Sequence, residues 1–553
     1  MHFSRINEKR KVIKGDSFNG DVELPPLSVE ELPFLKTRFF EVSVFITLIG
    51  LTLGVKVFYL QTIKQEAFNE RYNKIHYKKE WIVAPRGLIK DRTGSILAFN
   101  GPGKRQGELG RLYPQGVAFS HLLGFIGRVE RYHLSRDERY LPFDFVGKSG
   151  IEGFYETFLR GEHGSMEKQI TAGGEITQGP FQTPAKPGNT LTLTVDGEVQ
   201  KKLYEVLEIQ REKFKSPGAA GIVLDPTNGA LLALVSLPSF DNNAFNPSLL
   251  DDPSKPLFNR AIGGEYPPGS TIKPFLALGA LKEHVIDPKK IIYDQGKIEV
   301  RSVYNPDIVW TFRGWKALGE VDMRRAIAMS SNIYFYTIGG GYGEMKGLGI
   351  EKINQYLRLF GWGRKTGIDL EGERQGLLPL PEWKKEMLKE EWFIGDTYNS
   401  SIGQGFLRIT PLQLALASAA VANGGTVYKP YLVERIIDQG EREIFRHLPE
   451  MIRKDFIDPE HVAVIKEGML QAVDSGTVWR LKDLRVKVGA KTGTAQVGLG
   501  KPYHGWVTLF APYENPKIVL TILVENGVGG EQSAVPAAKE FLEWYFNKFN
   551  VQN

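Results

Sequence analysis

The chain has 553 residues, 42% of them hydrophobic and none of them cysteine. It can fill several cores, three or four domains by length, while disulfides, thiol catalysis and cysteine-ligated metals are excluded. Seventy basic and 64 acidic residues leave a net charge of +6, too mild for nucleic-acid binding and compatible with carboxylate-bearing partners; with no H-E-x-x-H, EF-hand or Walker loop, no metal and no cofactor is expected.

In chain order, the first strong signal is the apolar run Phe39–Leu60, in which only Glu41 and Lys56 are charged, both near its ends. It is long enough to cross a bilayer as one helix, and a cleaved signal peptide is disfavoured because no small-residue cleavage site follows. Seven Lys or Arg lie in residues 1–38 and five in 61–80, so charge alone leaves the orientation open. Gln61–Lys79 reads as helical. The turn Asp91–Gly94, flanked by apolar residues, reads as a hairpin. A Gly-rich segment, Gly101–Gly110, can make only a plain loop, since a stretch that short cannot form a core unaided. After the linker Pro184–Gly188 comes a strand-like run, Thr190–Val195. From there we read a helix over Glu198–Phe214, strands over Ala219–Leu224 and Ala230–Leu237, a helical insertion from Pro267 to Val473, a strand Leu484–Ala490 ending at Lys491, strands Val507–Phe510 and Ile518–Val524, and a closing helix Ala537–Phe549. The pattern is α+β: an antiparallel sheet packed by terminal helices.

Three short motifs carry chemistry: Ser270-Thr271-Ile272-Lys273, Ser330-Ser331-Asn332 and Lys491-Thr492-Gly493-Thr494. Turn residues Tyr266–Gly269 run into the apolar stretch after Lys273, which delivers Ser270 to a helix start, where free N–H groups favour a developing oxyanion. Lys273 falls on the same helical face, within reach of the Ser270 hydroxyl. Serine needs a base, and a lysine serves only if burial or a second cation lowers its pKa. Lys491 is the expected second cation. Gly493 lets a substrate backbone lie close to the strand edge, and Thr492 and Thr494 place hydroxyls beside Lys491 for a carboxylate. The Ser330 hydroxyl suits proton relay and the Asn332 amide suits a peptide group. Singly, each motif is as compatible with a helix start or a strand-edge turn; in order, they form one acyl-transfer site. A His-based triad is disfavoured, because His121, His284 and His504 are scattered and no G-x-S-x-G elbow occurs.

With Asn259-Arg260-Ala261, Thr366-Gly367-Ile368-Asp369-Leu370, Ser401-Ile402-Gly403-Gln404-Gly405 and Thr410-Pro411-Leu412-Gln413, these motifs resemble the class B penicillin-binding proteins, and most of all the elongation-specific branch of that family, over nearly the whole chain from Arg38. The resemblance implies a cytoplasmic tail (1–38), a transmembrane helix (39–60), a pedestal or dimerisation-like domain with a shortened head (61–190), and a penicillin-binding/serine β-lactamase-like transpeptidase domain (191–553) with helices on both sheet faces and a helical subdomain. It implies a single-pass protein of the cytoplasmic (inner) membrane with its N-terminus inside and its catalytic domain outside. Its partners would be D-Ala-D-Ala stem peptides, an amine acceptor, β-lactams and a SEDS-type glycosyltransferase, since residues 61–190 are too few for a glycosyltransferase domain. By that resemblance Ser270 is the nucleophile, Lys273 the base, Ser330 the relay, Asn332 a substrate clamp, Lys491, Thr492 and Thr494 the carboxylate site, and the N–H groups of Ser270 and Thr494 the oxyanion hole.

Two other readings stand beside a transpeptidase. A β-lactam-hydrolysing enzyme or sensor on the same fold would need a way to activate deacylating water. A non-enzymatic activator of a glycosyltransferase partner would not need Ser270.

Overall fold

The computed structural model describes residues 33–68, 77–103, 109–170, 176–302, 305, 307–496, 498 and 502–552. Two compact units divide the chain, one of residues 1–79 and 167–180, the other of residues 80–166 and 181–553.

The first unit carries α1 (Pro33–Phe58), which continues through a wider turn at Tyr59–Ile63. Its apolar side chains, Phe39, Phe45 and Leu51 among them, are exposed, and the helix is long and apolar enough to cross a membrane. The helix expected over Gln61–Lys79 is not continuous. Tyr77–Ile82 is a strand whose aromatic and β-branched members favour the pleat, and residues 69–76 lie outside those described, as do residues 1–32 of the expected tail.

The second unit holds the five-stranded and the six-stranded sheet. In chain order it contains β1 (Ile89–Lys90), β2 (Ile96–Pro102), β3 (Leu109–Leu112), β4 (Thr190–Leu193), α2 (Gly197–Lys213), β5 (Ala219–Leu224), β6 (Leu231–Leu237), α3 (Lys273–Lys282), α4 (Met323–Ala328), α5 (Asn332–Gly340), α6 (Ile394–Ser401), α7 (Pro411–Ala422), β7 (Val433–Ile437), β8 (Glu443–Arg446), α8 (Pro459–Asp474), β9 (Gly489–Gln496), β10 (Tyr503–Ala511), β11 (Ile518–Gly527) and α9 (Val535–Lys548).

The five-stranded sheet runs β6-β5-β11-β10-β9 and is antiparallel throughout. Alternation splits its side chains between two cores. Ala219, Val223, Ile518, Leu520 and Ile522 pack with Val199, Leu203 and Leu207 of α2 and Phe541 and Leu542 of α9. Ala220, Ile222, Val519 and Leu523 pack on the opposite face with Leu412 and Leu416 of α7 and Phe275 of α3. Burial on both faces explains why these strands read as continuous apolar runs. β9 is left at one edge.

The six-stranded sheet runs β8-β7-β4-β1-β2-β3. β4 pairs in parallel with β1 and antiparallel with β7, so the stretch expected as a helical insertion is not wholly helical: β7 and β8 leave it to complete a sheet begun before residue 191. The loop expected over Gly101–Gly110 is also shorter than read, because Gly101 pairs with Gly110 and Pro102 with Leu109; residues 104–108 lie outside those described.

A buried ionic knot fastens this sheet. Glu152, fully buried, accepts from Arg86 and from Arg111 at 2.6 Å. Burial pushes its carboxyl up, but the Arg111 and Arg86 guanidiniums outweigh that and hold it below the usual carboxylate range. Its stabilising contribution is therefore present above the ordinary glutamate pKa and lost as pH falls through the depressed one. Glu152→Ala leaves Arg111 buried without its ion-pair partner, while Arg86 keeps Glu156 at 2.7 Å, and is expected to cost about 3–5 kcal/mol. Urea denaturation at pH 7 reads this, and a loss under 1 kcal/mol would show the knot to be dispensable.

Candidate active site

Ser270 stands in a single 3-10 turn, Gly269–Ile272, that leads into α3. Three close approaches fix this turn. Gly269, at φ +54°, has no room for a side chain, since a Cβ would meet the Thr494 carbonyl oxygen at 2.7 Å; its N–H donates to the Gly403 carbonyl at 2.9 Å; and Trp506 Nε1 donates to the Pro267 carbonyl at 3.0 Å. Ser270 stays partly open while Gly269, Thr271 and Ile272 are buried.

Lys273 is fully buried and donates from Nζ to the Ser330 carbonyl (2.8 Å), Ser330 Oγ (3.2 Å) and Asn332 Oδ1 (2.7 Å). Lys491, equally buried, donates to Ser330 Oγ (3.0 Å) and to the Thr492 carbonyl (2.9 Å). The Ser330 hydroxyl is thus shared by two lysines from distant parts of the chain. Burial pushes Lys273 well below the ordinary lysine value and Lys491 lowers it further, against a smaller opposing pull from Asp294. Burial likewise brings Lys491 down to about 7.

Local sequence explains the placement of Ser330. It stops α4 in the left-handed region at φ +57°, a conformation that costs a non-glycine residue of order 1–3 kcal/mol. Ser331 then opens α5 as its N-cap, accepting from Tyr334 N at 3.1 Å. The Ser331 hydroxyl also donates to buried Asp294 Oδ2 at 2.5 Å, so the helix-stop, helix-start junction aims Ser330 and Asn332 at Lys273. Ser331 and Asp294 carried no signal of their own in the sequence, because their role depends on a contact across 37 residues.

The third motif lies inside β9 rather than at the end of a strand Leu484–Ala490, because residues 489–496 form the ladder with β10. Gly493 is approached by the Ser270 turn, since a Cβ there would meet the Pro268 carbonyl at 2.7 Å and Thr271 Cγ2 at 2.9 Å. Thr492 Oγ1 donates to Thr477 Oγ1 at 2.9 Å, a neighbour the sequence did not point to, and Thr494 Oγ1 accepts from Gly530 N at 3.3 Å. The structure therefore gathers Lys273, Ser330, Asn332 and Lys491 by direct hydrogen bonds and sets Ser270, Gly493 and Thr494 against one another by close packing. Among the described residues no hydrogen bond joins the Ser270 hydroxyl to Lys273.

His121 and His504 are buried and lowered chiefly by burial, and no group of His, Asp and Glu among the described residues is arranged to hold a metal.

Comparison with known proteins agrees with this geometry. Residues 219–543 match the penicillin-binding protein transpeptidase domain and residues 104–193 the penicillin-binding protein dimerisation domain. The peptidoglycan D,D-transpeptidase MrdA of Haemophilus influenzae is 34% identical over 476 residues, covering 79% of this chain and 69% of its own. Pseudomonas aeruginosa PBP2, solved in complex with WCK 5153, matches with a TM-score of 0.72 at 31% identity, over 85% of this chain and 97% of that one. A chain of a peptidoglycan synthase complex that coordinates polymerization and crosslinking matches with a TM-score of 0.71 at 26% identity, over 92% and 98%. The chain belongs to the penicillin-binding protein transpeptidases. Within them it is of the penicillin-binding protein 2 type.

Because Lys491 is buried with no carboxylate partner among the described residues, it is a weak source of stability. Lys491→Met keeps its volume and is expected to leave the melting temperature within about 2 °C, while acylation by a carboxylate-bearing β-lactam slows about ten- to a hundredfold, the worth of one charge-assisted contact. A large melting shift without a rate change would make the residue structural.

Proposed function

We propose that this protein cross-links peptidoglycan during cell-wall elongation as a serine D,D-transpeptidase, with Ser270 as nucleophile. The observation that carries the reading is the Ser330 hydroxyl held between Lys273 and Lys491 beside the open Ser270 turn. Neutral Lys273 takes the Ser270 proton as Oγ attacks the penultimate D-Ala carbonyl of a stem peptide. The oxyanion forms against the N–H groups of Ser270 and Thr494. As the carbon–nitrogen bond breaks, the departing D-Ala amine receives a proton relayed through Ser330, and an amine of a second stem peptide then takes the acyl group. A β-lactam acylates Ser270 as a mimic of the donor.

Asn332 holds the donor's peptide group, and the terminal carboxylate meets Lys491 with Thr492 and Thr494. Thr494 Oγ1, which accepts from Gly530 N, keeps its own proton for that carboxylate, and Thr492 does so once it turns from Thr477. Gly493 serves by keeping this edge close to Ser270.

The apolar helix α1 anchors the chain in the cytoplasmic membrane, single-pass. The stem peptides lie outside, which places the catalytic unit on that side and residues 1–38 within. A separate glycosyltransferase of the SEDS type would supply glycan, and the related synthase complex is one that coordinates polymerization and crosslinking.

Intact-mass measurement after incubation with a penicillin is expected to show one stoichiometric, slowly lost adduct that peptide mapping places on Ser270 and that Ser270→Ala abolishes. An adduct on Ser330, rapid turnover, or no adduct on folded protein would overturn the reading.

The pH dependence follows from the two lysines. Lys273 must be neutral to act as base, and burial together with the nearby Lys491 charge moves it in that direction. Lys491 must be charged to hold a carboxylate, and that form is lost as pH rises through about 7. The second-order acylation rate of a penicillin is therefore expected to fall from pH 7 to 9, and the fall to vanish with the penicillin methyl ester or in Lys491→Met. Persistence of the falling limb in that variant would assign it elsewhere.

A further inference from the structure

The free edge of β9 is not bare. Beside Ser270 a side chain covers it: Gln404 Nε2 donates to the Thr494 carbonyl at 3.2 Å, and Gln496 N donates to Gln404 Oε1 at 3.3 Å. In a strand, the carbonyl of one residue and the N–H of the residue two further on face the same side, so one carboxamide satisfies the donor–acceptor pair that an added strand would use. An unpaired sheet edge is a template for an extended peptide, and this stretch of edge is the one packed against the nucleophile turn, with the Thr494 carbonyl at the Cβ position that Gly269 lacks.

The loop aims Gln404 rather than leaving it to chance. Gln404 N donates to the Asn399 carbonyl at 2.8 Å and Gly403 N to the Ser400 carbonyl at 3.0 Å, while the Gly403 carbonyl receives Gly269 N at 2.9 Å. Gly403, at φ +73°, lies where a Cβ would collide with the Gly269 carbonyl at 2.2 Å. The backbone that carries Gln404 is therefore locked to the backbone that carries Ser270, while its side chain ends in two neutral, solvent-exposed hydrogen bonds that are inexpensive to exchange.

We propose that Gln404 is a specificity-determining residue of the donor groove: its carboxamide occupies the β9 edge in the unliganded protein and is displaced by ligands that present an amide N–H to the Thr494 carbonyl. This rests on the acyl-transfer reading of Ser270. An extended stem peptide carries such an N–H and replaces the hydrogen bond it breaks. A ligand without one binds around the carboxamide and leaves it on the edge. The edge is thereby kept from unproductive pairing and opened to peptides in the right register.

Acylation rates of the full chain measured with two probes test this: a penicillin bearing a 6-acylamino group, and penicillanic acid, which lacks it. Gln404→Ala is expected to accelerate acylation by the acylamino penicillin about two- to tenfold, the worth of one neutral hydrogen bond no longer exchanged, and to leave penicillanic acid within about twofold on that same scale. Gln404→Met, which keeps the length and removes the polar atoms, is expected to act in the same direction, so the test survives if one variant fails to fold. Equal rates with the acylamino penicillin, slower acylation by it, or the same change with both probes would overturn the role of Gln404 while Ser270 still carries an adduct. No adduct on the unaltered protein would instead overturn the reading on which the inference rests.

Discussion

The site depends on two lysine side chains buried around one hydroxyl. Lys273 and Lys491 are both fully enclosed and both contact Ser330 Oγ, an arrangement that desolvation and like-charge repulsion oppose. The protein keeps it because the same opposition makes the lysines chemically useful: a lysine that is hard to protonate is a base at neutral pH. Everything nearby serves to hold the pair together. Ser330 accepts a left-handed backbone to face both lysines, Ser331 ties the junction to Asp294, and three glycines, Gly269, Gly403 and Gly493, let the nucleophile turn, the Gln404 loop and β9 come together closer than any side chain would allow.

Rigidity of this kind needs a frame, and two sheets supply it. The five-stranded sheet presents β9 as its edge with apolar packing on both faces. The six-stranded sheet is completed by β7 and β8, and the half-buried Asp369 carboxylate, receiving the Leu432 and Val433 N–H groups together with the Tyr155 hydroxyl, ties β7 to the segment before residue 190. β4 pairs with β1 from before residue 190 and with β7 from far beyond it, so a single ladder joins these two stretches of the chain.

The elements legible in the sequence were those with strong periodicity or distinct turn chemistry. α2, β5, β6, β11 and α9 fall within a few residues of their expected ends, because apolar runs bounded by Asp, Pro and Gly leave little choice. Misreadings came where a partner far along the chain decides. Tyr77–Lys79 joined a strand, β7 and β8 left a helical stretch to satisfy a sheet edge, and β9 began at Gly489 because its hydrogen-bond partner β10 begins and ends where it does.

For the site, the sequence by itself determined which groups are candidates for acyl transfer: a hydroxyl one helical turn from a lysine, a second hydroxyl and an amide at a helix junction, and a third motif with a second lysine. Those follow from local spacing and from what serine and lysine can do. Only the tertiary structure decided that the two lysines share Ser330, that Gly493 admits the Ser270 turn, that Thr477 and Gly530 engage the threonine hydroxyls, and that Gln404 covers the strand edge. The reason is physical: burial, close backbone approach and edge pairing are relations between segments tens to hundreds of residues apart, and local spacing holds no record of them.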